Sequence, residues 1–153
     1  MSSPTTRLAE LGITLPAVAA PAGAYIPARR SGSLVFTAGQ VPFVDGKLPA
    51  TGKVGAEVDA NTAYNLARIC ALNALAAIDA LVGLDTVTGV VKVVGFVASA
   101  PGFTGQPGVI NGASDVLGEI FGDAGKHARS AVGVAELPIG APVEVELIVE
   151  VTG

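Results

Sequence analysis

The sequence "HARSAVGVAELP", residues 127–138, places one arginine at the start of a small and apolar stretch. Alternate side chains of a strand share a face, so Arg129 lies on the same face as Ala131, Gly133 and Ala135. A row of alanine and glycine lets a second backbone or a small ligand come close. The stretch therefore predicts a strand that carries one cation above a nearly bare surface.

The stretch "PVEVELIVEV", residues 142–151, alternates acidic and aliphatic residues just downstream. This pattern predicts a strand with one face in the core and one face rich in carboxylates, among them Glu144. If the two strands pair as an antiparallel hairpin about a turn at 138–142, Glu144 falls near residues 133–135. It could then share a pocket with Arg129.

A pocket with these two side chains has a chemistry of its own. A guanidinium offers a planar fork to a substrate carboxylate, and a nearby glutamate can hold or deprotonate a water. Arg129 and Glu144 therefore predict anion recognition combined with water activation. The alternative is that Arg129 pairs with a structural carboxylate at a subunit interface, while the glutamates form a solvated strand face.

The rest of the chain surrounds these strands with alternating elements. The pattern predicts a short helix within 2–12, a β-hairpin within 22–42 that turns at 31–33, an alanine-rich helix over 57–82, a strand over 90–99 and a helix over 109–122. This order predicts an α+β fold, with a mixed β-sheet and both helices on one face. The opposite face needs a cover, and subunit association is the natural one.

Composition narrows the class of protein. The 153 residues suit a single domain, 1–153, and half of them are hydrophobic while 14% are charged. With so little polar surface, the chain is expected to form a homo-oligomer. The net charge of −4 and the scattered basic residues predict no nucleic-acid partner. No uninterrupted apolar run reaches the roughly 18 residues that a membrane helix needs, and no targeting segment is recognised.

Three further features have alternative interpretations. Cys70, the single cysteine, cannot form an intramolecular disulfide, and as a packed residue or a reactive thiol it favours a reducing cytoplasm. With only His127 as a second soft ligand, we expect no metal site. His127 can act as an acid or base near Arg129, or have a surface or capping role. The glycines between Gly102 and Gly108 indicate a flexible loop, since the lysine of a phosphate loop is missing.

Taken together, three segments resemble the RidA family, also called YjgF-like or endoribonuclease L-PSP-like proteins. They are "GAYIPARRSGSLVFTAGQVP", "GFVASAPGFTGQPGVINGASDVLGEIFG" and "HARSAVGVAELPIGAPVEVELIVEV", and the resemblance is strongest to the longer branch of the family. It implies a chorismate-mutase-like fold and a homotrimer with clefts between neighbouring subunits.

The resemblance also implies an activity that needs no cofactor. Active members hydrolyse reactive 2-imino acids, such as 2-iminobutanoate and 2-iminopropanoate, to 2-keto acids and ammonia. Arg129 matches the arginine that binds the substrate carboxylate, and Glu144 matches the glutamate that positions or activates water. Tyr25 matches a tyrosine that lines the cleft, and Asn111 matches a polar residue near it.

The chain departs from active members at three places in this cleft. Ala38 stands where many have serine, Ala131 where many have cysteine, and Ile26-Pro27 where many have Ser-Gln. A lost hydrogen-bond partner in a buried site costs about 1 to 3 kcal/mol. The first alternative function is therefore a non-catalytic trimeric protein that binds small carboxylates or keto acids. The second is an endoribonuclease, which the acidic chain does not favour because its sequence indicates no RNA contacts.

Overall fold

The structure, a computed structural model, describes residues 2–153, so that Met1 lies outside the described part of the chain. Its helices are α1 (Pro4–Glu10), α2 (Ala60–Val82) and α3 (Gln106–Phe121), and its strands are β1 (Ala28–Ser31), β2 (Leu34–Thr37), β3 (Val87–Ala98), β4 (Ala128–Val134) and β5 (Val143–Val151). Short 3₁₀ turns lie at Leu84–Thr86, Gly122–Gly125 and Pro138–Gly140. Every element expected from the sequence is present.

The helices begin where a side chain can cap them. The Ser3 hydroxyl accepts a hydrogen bond from the Thr6 amide at 3.3 Å, as expected for the start of α1. Helix α2 starts at Ala60, three residues later than predicted, because the Asp59 carboxylate accepts a hydrogen bond from the Thr62 amide at 2.7 Å. Gly83, with a φ of 81°, ends α2 as predicted.

The five strands form one mixed sheet in the order β1-β2-β5-β3-β4. The predicted first hairpin is confirmed, because Ser31 pairs with Leu34 across a two-residue turn. The predicted hairpin between the last two strands is wrong. Strand β4 pairs in parallel with β3, whereas β5 lies between β2 and β3 and is antiparallel to both.

The burial of the two last strands explains this arrangement. Each apolar residue on one face of β5, from Val143 to Val151, is at most 3% exposed, as suits a central strand. Strand β4 has no fully buried residue, as suits an edge strand. Helix α3 connects β3 to β4 as a parallel crossover, and residues 135–142 then carry the chain to the centre of the sheet.

Helices α2 and α3 lie together on one face of the sheet, so the expected α+β plan is confirmed. The alanine-rich side of α2 is fully buried, and α3 meets it at Gly112, where a Cβ would overlap the Tyr64 carbonyl. By length and composition α2 could cross a membrane, but 56% of its most apolar 18-residue window is buried, which indicates a core helix. A cytoplasmic location stays a prediction.

The opposite face of the sheet is not covered by any described element of the chain. Phe36 is 40% exposed and Val132 is 43% exposed, and both project from this face. Phe96 and Ile148 lie between them in the sheet and are only partly buried. We call this surface, formed by Phe36, Phe96, Val132 and Ile148, the open sheet face.

Candidate functional site

Arg129 projects from β4 toward α3, on the helix-covered side of the sheet. Its Nη1 donates one hydrogen bond to Asn111 Oδ1 at 2.8 Å and a second to Ser114 Oγ at 3.1 Å. Both acceptors lie on the same face of α3, because they are three residues apart. The structure therefore brings Arg129 and Asn111 together, although the resemblance places Asn111 near the cleft that Tyr25 lines, and it adds Ser114, which the sequence analysis missed.

The small residues that follow Arg129 leave room for α3 rather than for solvent. Ala131 packs against the core, and a Cβ on Gly133 would lie 2.8 Å from the Gln106 amide nitrogen and 2.9 Å from the Ser99 hydroxyl. Side chains of the helix side therefore approach this strand face closely at Ala131 and Gly133, while Gly133 and Ala135 stay exposed. The polar cleft side chain that Ala131 replaces would stand on this face.

The guanidinium keeps one of its two binding edges unpaired. Among the described residues, neither Nε nor Nη2 of Arg129 donates a hydrogen bond. These two N–H groups form the side-on fork that matches the two oxygens of a carboxylate. Arg129 is half-buried and makes no salt bridge within the described chain. Its charge is therefore oriented by neutral groups and stays available to an anion.

His127 lies behind this arrangement and completes a chain of hydrogen bonds. Its Nε2 is 2.9 Å from Ser114 Oγ, and its Nδ1 is 2.6 Å from the Gly125 carbonyl oxygen. Of the roles expected for His127, capping fits this geometry, because the Gly125 carbonyl lies at the end of the 3₁₀ turn Gly122–Gly125. The ring is half-buried and contacts Arg129 through Ser114.

Glu144 lies on the other side of the sheet. It pairs with Phe96 in β3, whereas Arg129 pairs with Val93, an odd number of residues away, and successive residues of a strand face opposite sides. Two strand spacings and three residues separate the two backbone positions, which is about 14 Å. The expectation that β4 and β5 bring Arg129 and Glu144 into one pocket is therefore wrong for a single chain.

The Glu144 side chain faces a cleft of about 180 Å³ together with Tyr25. Its carboxylate lies directly over Gly39, where a Cβ would come within 2.6 Å of Oε2. Tyr25 is half-exposed, and its hydroxyl accepts a hydrogen bond from the Ala22 amide at 3.2 Å. Ala38 precedes Gly39 and is partly buried, so the serine that it replaces would stand beside this cleft.

The environment of Glu144 favours its protonated form. Burial raises the pKa of the Glu144 carboxyl above its usual value, and the negative charge of Glu146 raises it further. No described side chain donates a hydrogen bond to this carboxylate. Burial also raises the pKa of the Cys70 thiol, to which the Glu144 charge adds, so Cys70 is a packed core residue. Within residues 2–153 no group of three or more potential metal ligands occurs.

The single chain thus divides the predicted site residues into two groups. Arg129, Asn111 and Ala131 lie at the edge of the sheet against α3. Tyr25 and Glu144 line the cleft on the other side, and Ala38 directly precedes Gly39 in its lining. A larger cleft of about 660 Å³, between residues 14–20 and α2, contains none of them.

Known proteins resemble the chain over nearly its whole length. Protein TCP17 of Trypanosoma cruzi is 47% identical over 146 residues, which cover 94% of this chain and 91% of TCP17. The crystal structure of Atu1372 from Agrobacterium tumefaciens, a protein of unknown function, has a TM-score of 0.89 and 44% identity, with 97% of this chain and 92% of that one covered. E. coli TdcF with bound serine has a TM-score of 0.66 and 28% identity, with coverages of 91% and 96%.

Residues 5–151 match one family model. Its description is "YjgF/chorismate mutase-like, putative endoribonuclease". The matched range includes both groups of site residues and all the helices and strands except the start of α1.

Proposed function

Because the chain belongs to the YjgF/chorismate-mutase-like family, we propose that it is a 2-imino-acid deaminase that acts in clefts between copies of the chain. Its substrates are 2-iminobutanoate, 2-iminopropanoate and related small 2-imino acids, and its products are 2-keto acids and ammonia. The observation that carries this proposal is the geometry of Arg129. Neutral side chains hold its Nη1, and the carboxylate-binding edge of Nε and Nη2 stays unpaired.

A relative supports the class of ligand. E. coli TdcF, which shares the fold, has been crystallised with serine bound. Serine is a 2-amino carboxylate, and a 2-imino acid has the same carboxylate on the same carbon skeleton, with C=N in place of the amine. The guanidinium of Arg129 suits this shared carboxylate.

The reaction needs one water and one group that exchanges protons. Arg129 holds the substrate carboxylate, and the ionised Glu144 takes a proton from water while the water oxygen attacks the C2 carbon. Glu144 passes this proton to the imine nitrogen, which gives a neutral carbinolamine with a hydroxyl and an amine on C2. Glu144 then takes the hydroxyl proton and delivers it to the amine as the C–N bond breaks, so that C2 becomes the keto carbonyl and ammonia leaves. The raised pKa of Glu144 makes its ionised form a stronger base than an exposed carboxylate.

This mechanism requires a second copy of the chain. Arg129 and Glu144 face opposite sides of one sheet, so a cleft with both side chains takes one from each of two neighbours. The open sheet face supplies apolar surface for such contacts. A contact between two different surfaces of identical chains gives a ring when its rotation closes, and we propose that it closes as the homotrimer that the family resemblance implies.

A second candidate function is a trimeric protein that binds small carboxylates or keto acids without turnover. Ala38 and Ala131 favour it, since they stand where many active members have serine and cysteine and neither side chain offers a hydrogen bond. An endoribonuclease ranks third. The net charge is −4, and Glu144 and Glu146 would place negative charge next to an RNA backbone.

The decisive experiment measures imine loss and keto-acid formation during in situ generation of 2-iminobutanoate by an amino-acid oxidase. The wild-type chain is expected to accelerate hydrolysis above the spontaneous rate, and Arg129→Ala and Glu144→Gln to lose this acceleration. Glu150→Gln is the matched control, because Glu150 lies further along the same face of β5 and is exposed. Wild-type hydrolysis at the spontaneous rate, with saturable binding of 2-oxobutanoate that needs Arg129, would replace the deaminase by the binding protein.

A further inference from the structure

We propose that His127, acting through Ser114, is a positioning residue that orients the Arg129 guanidinium toward the ligand carboxylate. The orientation of Arg129 by Ser114 and His127 rests on the hydrogen-bond network alone. Its effect on ligand binding rests on the proposed function. The three residues come from different parts of the chain: Ser114 from the middle of α3, His127 from the residue before β4, and Arg129 from β4 itself.

The direction of each hydrogen bond follows from the chemistry of the partners. The Gly125 carbonyl can only accept, so His127 Nδ1 carries the proton that it receives at 2.6 Å. In the neutral ring Nε2 is then an acceptor, and the Ser114 hydroxyl donates to it at 2.9 Å. The Ser114 oxygen keeps its lone pairs for Arg129 Nη1, which donates at 3.1 Å. All donors in the chain therefore point away from Arg129 and toward Gly125.

This direction matters for Arg129. A serine hydroxyl rotates freely and could present its hydrogen to the guanidinium, which would repel the cation. The acceptor at His127 Nε2 fixes the hydroxyl in the orientation that exposes an oxygen lone pair to Nη1. Asn111 accepts from the same Nη1, so both protons of this nitrogen are engaged. The guanidinium plane is then fixed and its Nε–Nη2 edge is preorganised for a carboxylate.

The far end of the network is anchored in the core. Gly125 is buried, and a Cβ there would lie 2.5 Å from the Leu117 carbonyl oxygen, so this turn packs tightly against α3. The Gly125 carbonyl that receives His127 Nδ1 thus has a fixed position relative to α3. A ring held by the turn and a hydroxyl held by the helix together set the position of Arg129 above β4.

The structural part of the inference is tested by nuclear magnetic resonance on the full-length protein without ligand. We expect the His127 ring to be the tautomer protonated at Nδ1 at neutral pH. We also expect the Arg129 Nε–H order parameter to fall in Ser114→Ala and His127→Ala, and to be retained in Ser114→Thr and in Lys126→Ala. Lys126 is the matched control, because it adjoins His127 and its side chain is 82% exposed. An Nε2-protonated ring, or an unchanged order parameter in His127→Ala, would overturn the proposal.

The consequence for binding is tested by calorimetry with 2-oxobutanoate. Ser114→Ala removes a hydrogen bond to the Arg129 guanidinium, and His127→Ala leaves the Ser114 hydroxyl free to rotate, so both are expected to weaken binding about tenfold. In the deaminase assay the same variants are expected to raise KM more than they lower kcat. If Arg129→Ala binds as the wild type does, the proposed function fails. If Arg129→Ala loses binding while Ser114→Ala and His127→Ala keep it, only the positioning role fails.

Discussion

Substitution of Gly39 by alanine should lower the rate of turnover at the Glu144 cleft while the protein stays folded. Gly39 adopts no left-handed backbone conformation, so an alanine is tolerated by the main chain. Its Cβ, however, would lie 2.6 Å from Glu144 Oε2 and 2.9 Å from Cδ. The carboxylate at the end of a flexible side chain must therefore give way, while the strands beside it stay in place.

The size of the shift follows from ordinary contact distances. Carbon and oxygen approach to about 3.4 Å, so Oε2 must move by roughly 0.8 Å from its present 2.6 Å. A displacement of about 1 Å in a reacting group can lower the rate on the order of 10²-fold. We expect Gly39→Ala to lower kcat on 2-iminobutanoate by 10- to 100-fold. The carboxylate anchor at Arg129 is untouched, so the affinity for 2-oxobutanoate should change little.

The assay is the in situ imine hydrolysis described above, run beside thermal unfolding. The matched control is Gly118→Ala, because a Cβ at Gly118 meets nothing within 4 Å and this glycine lies within α3. The control should keep wild-type kcat, and Gly39→Ala should unfold within about 1 kcal/mol of the wild type. A folded Gly39→Ala protein with wild-type kcat would show that the position of the Glu144 carboxylate does not control the reaction.

Three further predictions concern charge, burial and assembly. Glu146→Gln removes a negative charge that raises the pKa of Glu144, so the acid limb of the plot of kcat/KM against pH should move to lower pH. An unmoved acid limb would exclude Glu144 as the titrating base. The Cys70 thiol is fully buried with a raised pKa, so iodoacetamide should label it at pH 8 only after the protein unfolds, and rapid labelling of the native protein would contradict this burial. Val132→Glu places a charge on the open sheet face, so light scattering should detect smaller species than the wild-type oligomer, and deaminase activity should fall in parallel. A variant with the wild-type size and activity would show that this face is not part of the subunit interface.

Most of the fold was predictable because the signals are local. The cap at Ser3, the stop at Gly83 and the alternation in β5 each depend on a few neighbouring residues. The pairing of β4 with β3 was not predicted, because it depends on which strands lie at the centre of the sheet and which lie at its edge. The almost wholly apolar β3 and the intervening α3 do carry a signal for it. A strand that is followed by a helix and then by another strand usually forms a parallel crossover. The order β3-α3-β4 therefore favours parallel pairing of β3 with β4, even though the short separation of β4 and β5 in the sequence favours a hairpin.

The candidate site shows the same division between local and distant information. Arg129, Glu144, Tyr25 and Asn111 could be proposed from the family resemblance, and the structure places Arg129 beside Asn111. The separation of Arg129 from Glu144 depends on strand order, which the sequence alone did not determine. The hydrogen bond between Ser114 and His127 joins a helix to the residue that follows a turn, and no residue pattern in the sequence predicts this contact.

The opposite orientations of Arg129 and Glu144 have a genetic consequence. If each cleft takes its arginine from one chain and its glutamate from the next, two inactive alleles can complement each other. Chains with Arg129→Ala and chains with Glu144→Gln, coexpressed in equal amounts, would assemble rings in which about a quarter of the clefts contain both intact side chains. Each protein alone would have none. Because the sheet separates these two side chains, activity would depend on which chains assemble into one ring and not on any single chain.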